Sequence, residues 1–436
     1  MGASRSLVVC CALMSCAKLV GIHDYDGVDA GQRDSDSGSG SNPIPDCSVG
    51  LSQGGVCPTQ LVAGVNQSCV FGAGMLYCWG YPSPGAVATM SDRPVAVPAM
   101  NPPVQVSTST TPWASTSDVG TTCFVDNTSN VWCWGDSESD QLQMNSTTAG
   151  MPTPMMLPGS GVLSVAVGGD HVCDMLPGAF YCWGADANDQ LDDDAHDALD
   201  PVGKQFFMMT SIVAMGRSHT CVGSGGLAKC WGANESGELG DGTHVDTTGT
   251  LDTVVVVTSS NQTTLDNVIA LSAGASFTCA LSGSASAADA YCWGANDAGQ
   301  LGVDTGMVAT ASKVPAPTQF TAIASGTATT CAIDVERNVW CWGSNKLGQA
   351  SIGPATAMVV PASVPPTQTS VTDAIAIAVG DNHACATQAS GAIVCWGGNS
   401  AGQLGDNKLN HMNAGACGSA SGNDDCSWLP VEVAMP

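Results

Sequence analysis

The tripeptide Cys-Trp-Gly recurs seven times, beginning at Cys78, Cys133, Cys182, Cys230, Cys292, Cys341 and Cys395. Successive copies lie 55, 49, 48, 62, 49 and 54 residues apart. A period near fifty residues limits the fold more than any other feature of the chain. It marks an architecture assembled from copies of one supersecondary unit, none of which can bury its apolar faces alone. Each of the seven cysteines has another ahead of it: Cys69, Cys123, Cys173, Cys221, Cys279, Cys331 and Cys385, at gaps of 9, 10, 9, 9, 13, 10 and 10. Between them the chain reads as a hairpin. "CAIDVERNVWCWG" (331–343) and its near copy "CFVDNTSNVWCWG" (123–135) alternate apolar and polar residues around a polar turn. Thiols on the two arms of such a hairpin face each other at close to disulfide distance. The 13-residue gap is accommodated by a longer tip, "SGSASAADA" (282–290).

Ahead of each pair lies a further strand-like stretch, as in "VLSVAVGGDHVC" (162–173), "VIALSAGASFTC" (268–279) and "AIAIAVGDNHAC" (374–385). A shorter proline-containing stretch precedes that, for example "PVAV" (94–97) and "VPAP" (314–317). Four short strands in about fifty residues, with no amphipathic helix, make one propeller blade.

The phrase Cys-Trp-Gly-x-Asn-x-x-Gly-Gln-Leu-Gly, with Val-Ala-x-Gly-x-x-His-x-Cys ahead of it, resembles the repeat of the regulator of chromosome condensation family. The resemblance covers all seven copies, about residues 57–433, and implies an all-β, seven-bladed β-propeller of four-stranded blades. The first copy departs most, since "CWGYPSPGA" (78–86) lacks the Asn and the Gln-Leu-Gly. The second and third place Asp140 and Asp189 where glycine is usual, and Asp tolerates a left-handed turn. The first hairpin has no Pro-Val strand before it, while "LPVEVAMP" (429–436) has no hairpin after it. The expectation is therefore a ring closed by a C-terminal strand, Pro430–Val433, that joins blade 1 and removes the exposed edges. In this reading the repeated phrase is scaffold: its glycines allow the turn, its Trp fills space between blades, and its cysteines lock each hairpin.

The N-terminus gives the setting. Arg5 precedes a short apolar run, "LVVCCALM" (7–14), that leads into "LMSC" (13–16). The run is too short to span a bilayer and reads as a signal peptide over 1–15. "LMSC" resembles the lipobox of bacterial lipoproteins, which makes Cys16 the lipidated residue; the alternative is an ordinary cleaved signal in which Cys16 is incidental. Residues 16–56 form an acidic, Gly/Ser-rich tether that cannot bury enough surface to offset its ordering entropy. The propeller then occupies 57–436. Twenty-one cysteines point to an oxidising compartment. Cys10 and Cys11 leave with the signal, and Cys47–Cys57 and Cys417–Cys426 are the two pairs left over. The expected location is a bacterial cell envelope, with the chain lipid-anchored to the outer membrane or cell surface.

The remaining chemistry is sparse. With 38 acidic residues against 11 basic ones, the formal charge is −27. That balance repels phosphate backbones and anionic lipids, so nucleic acid is excluded, and it serves solubility. His-x-Cys occurs at His171, His219 and His383, but the other copies put Gln67, Thr121, Phe277 and Thr329 at that position, and no Cys-x-x-Cys exists. These histidines are read as hydrogen-bonded within their blades, not as zinc ligands. "ADANDQLDDDAHDALD" (185–200) gathers Asp186, Asp189, Asp192, Asp194 and further carboxylates as weak calcium candidates, without the spacing of a known calcium loop. "GLSQG" (50–54) matches a nucleophile elbow but lacks the flanking strand and helix, and Gly203–Lys204 continues into Gln205, so no phosphate-binding loop follows. Five Asn-x-Ser/Thr sequons carry little weight in a bacterial chain.

No catalytic residue, cofactor or resident metal is expected. The function read from the sequence is a monomeric, non-catalytic envelope scaffold presenting inter-strand loops to a protein or glycan. The alternative, implied by the resemblance, is an inhibitor of a secreted or periplasmic enzyme, as in β-lactamase inhibitory proteins. An enzyme acting at the axial channel ranks third. The candidate loops are 81–92, 185–197 and 407–426. Nucleotide exchange on a nuclear GTPase, the activity of the family's best-known member, does not transfer to an exported, disulfide-rich, acidic chain.

Overall fold

The fifty-residue repeat folds as a four-stranded antiparallel meander. The copies are called units 1–7 after their cysteine pairs. In unit 2 the strands Pro103–Thr108, Thr122–Asp126, Val131–Gly135 and Met151–Met156 pair in sequence order. They are referred to below as the inner, second, third and outer strands. The computed structural model describes residues 58–436, except 73, 82–89, 99–100, 112–118, 145–149, 178, 192–198, 207–211, 248–253, 259, 262, 351–365, 409–410 and 412–424. Among the described residues there is no helix, and the strands form five sheets of four and one of eight. The larger sheet is two meanders, from units 5 and 6, joined through the single pair Ala288↔Phe320. The fold is an all-β β-propeller.

Every residue of Thr122–Asp126 is buried, so its sheet must be covered on both faces. The cover comes from neighbouring units, and the core lies between sheets. Trp183 of unit 3 packs with Val125, Val131 and Leu142 of unit 2, and Trp231 of unit 4 with Cys173, Phe180 and Leu191 of unit 3. The indole N–H groups donate across the same seams. Trp183 reaches the Gln141 carbonyl at 2.9 Å, Trp231 that of Gln190 at 2.9 Å, and Trp342 that of Gln300 at 3.0 Å. Trp134 finds no partner among the described residues, because unit 1 lacks the Gln-Leu-Gly that supplies the carbonyl elsewhere. The glycine after each Trp is obligatory. Gly135 has φ 105°, and a Cβ there would strike the Gly120 carbonyl oxygen.

The cysteines of each hairpin are direct cross-strand partners, such as Cys123↔Cys133 and Cys221↔Cys230. All seven pairs form disulfides with Cα–Cα of 4.0–4.1 Å. Cys426 is also disulfide-bonded, while Cys16, Cys47, Cys57 and Cys417 lie outside the described residues.

The expected closing strand is corrected by the structure. Cys426–Glu432 pairs with Ile393–Gly398 of unit 7, through Cys395↔Val431 and Val394↔Glu432, and not with unit 1. Unit 1 has its own outer strand, Ser91–Ala96, paired to its third strand through Cys78↔Val95. The Pro-Val stretch follows the hairpin it joins, since a strand leaving the second arm can fold straight back along it. Reading it as preceding the hairpin shifts the repeat by one strand. Units 1 and 7 nevertheless meet. Leu61, Val70 and Trp79 share a buried cluster with Ala378, Ile393 and Leu404, and Trp79 donates to the Gln403 carbonyl at 2.8 Å.

Candidate functional site

The meander fixes where long connections can go. The inner-to-second and third-to-outer connections lie at one end of the propeller, and the hairpin tips and unit-to-unit links at the other. Hairpin tips are short, as at Gly72–Met75 and Ser224–Leu227. The third-to-outer connections run over 81–90, 136–150, 186–198, 233–253, 295–307, 344–366 and 399–425, all at the opposite end. The three loops singled out from sequence belong to this loop face, with parts of each outside the described residues.

The repeated phrase builds the platform beneath these loops. The Oδ1 atoms of Asn234, Asn296, Asn345 and Asn399 each accept the backbone N–H five residues on, at 3.0 Å. Gln300, Gln349 and Gln403 each accept, at 2.8 Å, the N–H two residues back. In unit 3 Asp186 takes the Asn role, accepting Leu191 N–H at 2.8 Å. Asp189 sits at φ 60°, where Gly237 and Gly299 have 84° and 77°. Two of the four calcium candidates are thus turn formers, and Asp192 and Asp194 lie outside the described residues. No group of three metal-ligating side chains occurs among the described residues.

The three histidines are buried as expected, but their Nε2 bonds run between units; His171 also bonds within its own unit, to Asp170. His171 Nε2 lies 2.8 Å from Thr220 Oγ1, His219 Nε2 2.8 Å from Thr278 Oγ1, and His383 Nε2 2.6 Å from Ser68 Oγ. Gln67 of unit 1 has the same role, accepting Thr122 Oγ1 at 2.9 Å. Where the next unit offers no hydroxyl, at Val172 and Ala384, the position is threonine and bonds within its own unit: Thr121 to the Asp136 carbonyl and Thr329 to that of Ser344. Burial holds His219 and His383 neutral, each titrating down near 3, with the nearby His171 adding to the effect at His219.

One of these contacts has the outline of a catalytic relay. Thr220 Oγ1, His171 and Asp170 are in series, with His171 Nδ1 2.8 Å from Asp170 Oδ1. Thr220 and His171 are wholly inaccessible, and Ser218 and Gln190 also donate to Asp170. A nucleophile needs room for an acyl or phosphoryl group beside it. This hydroxyl has none, and the arrangement ties units 3 and 4 together.

The axial cavity offers little more. Its volume is about 60 Å³, and its lining comes from the inner strands of all seven units, including Ala63, Ser107, Val167, Met215, Ser272 and Ser325. Among the described residues, no ionisable side chain lines it. Small-molecule sites usually enclose about 300–1,000 Å³, so this space suits a few waters. At the loop end Thr327 Oγ1 donates across the axis to the Thr110 carbonyl at 3.0 Å.

Two carboxyls are pushed up to near neutral pH. Glu238 occupies the Gln position of unit 4 and is pushed up to about 7, chiefly by burial. Asp174 replaces the Val, Phe or Ala of other units at a seam, and burial pushes it up to about 7 as well. Neither lines the axial cavity. "GLSQG" (50–54) lies outside the described residues. Lys204 belongs to the outer strand of unit 3, opposite Cys182, so Gly203–Lys204 forms no phosphate loop.

Comparison with known proteins agrees with this architecture. The regulator of chromosome condensation (RCC1) repeat matches residues 320–349 and 374–403. No curated protein sequence matches the chain. Among solved structures, Prp20p of Saccharomyces cerevisiae, described with its binding to Gsp1p and histones, is 18% identical. It covers 87% of each chain with a TM-score of 0.65. Yeast RCC1 (Prp20) in its complex with Kap60 is 16% identical over 94% of this chain and 91% of that one, with a TM-score of 0.63. Human WBSCR16 is 18% identical over 81% and 89%, with a TM-score of 0.64. The chain is a β-propeller that carries RCC1 repeats at residues 320–349 and 374–403.

Proposed function

We propose that the protein is a closed, seven-bladed propeller acting as a non-catalytic binding scaffold, tethered to a bacterial envelope membrane through lipid on Cys16. The loop face carries the partner, a protein. One observation supports this most: the third-to-outer connection of every unit emerges at the same end, above a platform of buried Asn, Gln and Trp bonds. A rigid scaffold with variable loops at one end is how binding surfaces are commonly built. Closure is supported by the seam between units 7 and 1, which uses the His-to-hydroxyl and Trp-to-carbonyl bonds of the other seams.

Protein binding by this fold has precedent in Prp20p, although identities below 20% carry the fold and not the partner. The loop face itself is acidic. Glu138, Glu235, Asp241 and Asp297 stand on it, against Lys346 and Lys408. The test is affinity capture from envelope extract with the full chain. Two variants are compared with it: one whose loops 233–247 and 399–411 are replaced by neutral sequence, and one altered at the turn end. Capture lost only with the loop variant supports the reading. Capture indifferent to the loops contradicts it, and a captured hydrolase that loses activity on binding selects the inhibitor reading.

A further inference from the structure

The end of the propeller opposite the loops is not uniform. In units 5–7 it carries charge: the ion pairs Lys313–Asp289 and Arg337–Asp373, with Glu336 beside them on the unit 6 hairpin tip. In units 1–3 the same end presents Met75, Val104, Met156 and Leu163, 43%, 50%, 54% and 48% exposed. Val104 lies in the inner strand of unit 2 and Leu163 directly precedes that of unit 3, and the two strands adjoin, because the Gln105 side chain bridges to the Val165 backbone at 2.9 and 3.0 Å. Among the residues whose side chains are described, only two acidic residues and no basic one lie at this end of units 1–3. Asp126 is 1% exposed, its oxygens taken by Asn101, Thr128, Asn130 and Trp132. Asp174 is turned into the seam with unit 2, opposite Tyr181.

An uncharged apolar patch is unexpected on a chain of net charge −27. Its position supplies the explanation. The first described residue, Pro58, pairs with Gly72 at this same end, so the N-terminal segment leading back to Cys16 leaves the propeller beside Met75. A lipid on Cys16 would bring this end toward the bilayer, where carboxylates are repelled by anionic headgroups and scattered apolar side chains settle at the interface.

We propose that the turn end of units 1–3 lies against a phospholipid surface, so that the loop face points away from the membrane. This rests on the lipid anchor proposed above. It accounts for the lack of surface charge around the point where the tether leaves, and for charge at the far side of the same end.

Hydrogen–deuterium exchange of the full lipidated chain on phosphatidylcholine vesicles tests it, with the Cys16→Ser chain in solution as reference. Exchange over 72–76, 101–105 and 156–164 should slow by about tenfold on vesicles, while 233–247 and 399–408 stay unchanged. In the double variant Val104→Glu/Leu163→Glu, both at exposed sites, that protection should vanish while the chain stays vesicle-bound through its lipid. A lipidated chain with no protection there, or with protection on the loop face, overturns the orientation alone. Concentration-dependent protection of the same segments in the Cys16→Ser chain also overturns it, since a second copy then covers the patch. An unmodified Cys16 by mass spectrometry overturns the anchor, and the orientation with it.

Discussion

Replacing Glu238 by Gln should stabilise the protein at alkaline pH and leave it almost unchanged at acid pH. Five other units place Gln141, Gln190, Gln300, Gln349 and Gln403 at this position, and all of these amides but that of Gln141 donate as well as accept. Gln190 and Gln403, for example, donate to Asp170 and Asn66. Glu238 accepts Ser236 N–H at 2.8 Å but can donate only when protonated. Burial, with a smaller contribution from the charge of Asp246, moves its pKa from 4.5 to about 7. Its ionised form is therefore disfavoured in the fold by up to about 3 kcal/mol. Relaxation of the loop around the charge brings the expected effect to about 2 kcal/mol.

Because the folded-state pKa is the higher one, ionisation costs nothing below about pH 4.5 and progressively more up to pH 7. Above that the loss is complete and constant. Denaturant unfolding of both proteins with disulfides intact, at pH 4 and pH 8, reads this directly. The variant's advantage should be near zero at pH 4 and about 2 kcal/mol at pH 8. An equal advantage at both pH values, or none at pH 8, would refute the reasoning.

Asp174→Val should behave similarly, gaining about 2 kcal/mol at pH 8 and little at pH 4, since burial also raises that carboxyl to about 7 and units 1 and 4 carry Val70 and Val222 there. Trp231→Phe should cost about 1 kcal/mol more than Trp134→Phe in the same unfolding assay, because only Trp231 gives up a buried indole N–H bond to a carbonyl. His219→Gln should retain more stability than His219→Leu, by about 1 kcal/mol, as Gln67 already bonds a neighbour's hydroxyl from the equivalent position.

Much of this is legible in the sequence, for physical reasons that also explain what is not. Cysteine spacing reveals the hairpins because a disulfide across a ladder needs directly opposed residues. A period, however, fixes the length of a unit and not where the unit begins. The period alone therefore leaves open which end of the ring takes the strand Cys426–Glu432, and only its pairing with Ile393–Gly398 decides it. The histidines read correctly as structural, but the direction of their bonds depends on which sheet lies alongside. The cue is present: the residue just before the leading cysteine is Ser or Thr opposite His or Gln in four seams and Val172 or Ala384 opposite Thr in two, with Thr330 opposite Phe277 in the seventh. Aligning the seven phrases would have found Glu238, which alone puts an acid at the glutamine position. The uncharged patch at the turn end draws on three units far apart in sequence, and only the fold assembles it.

Peptide mapping of the unreduced protein tests the account at its base, since blade phase, loop face and turn end all follow from how the cysteines pair. The account predicts that the seven hairpin pairs each close 9–13 residues within one unit, with Cys221 joined to Cys230 and Cys385 to Cys395, besides the linkage at Cys426. Linkages that join cysteines of different units would contradict it.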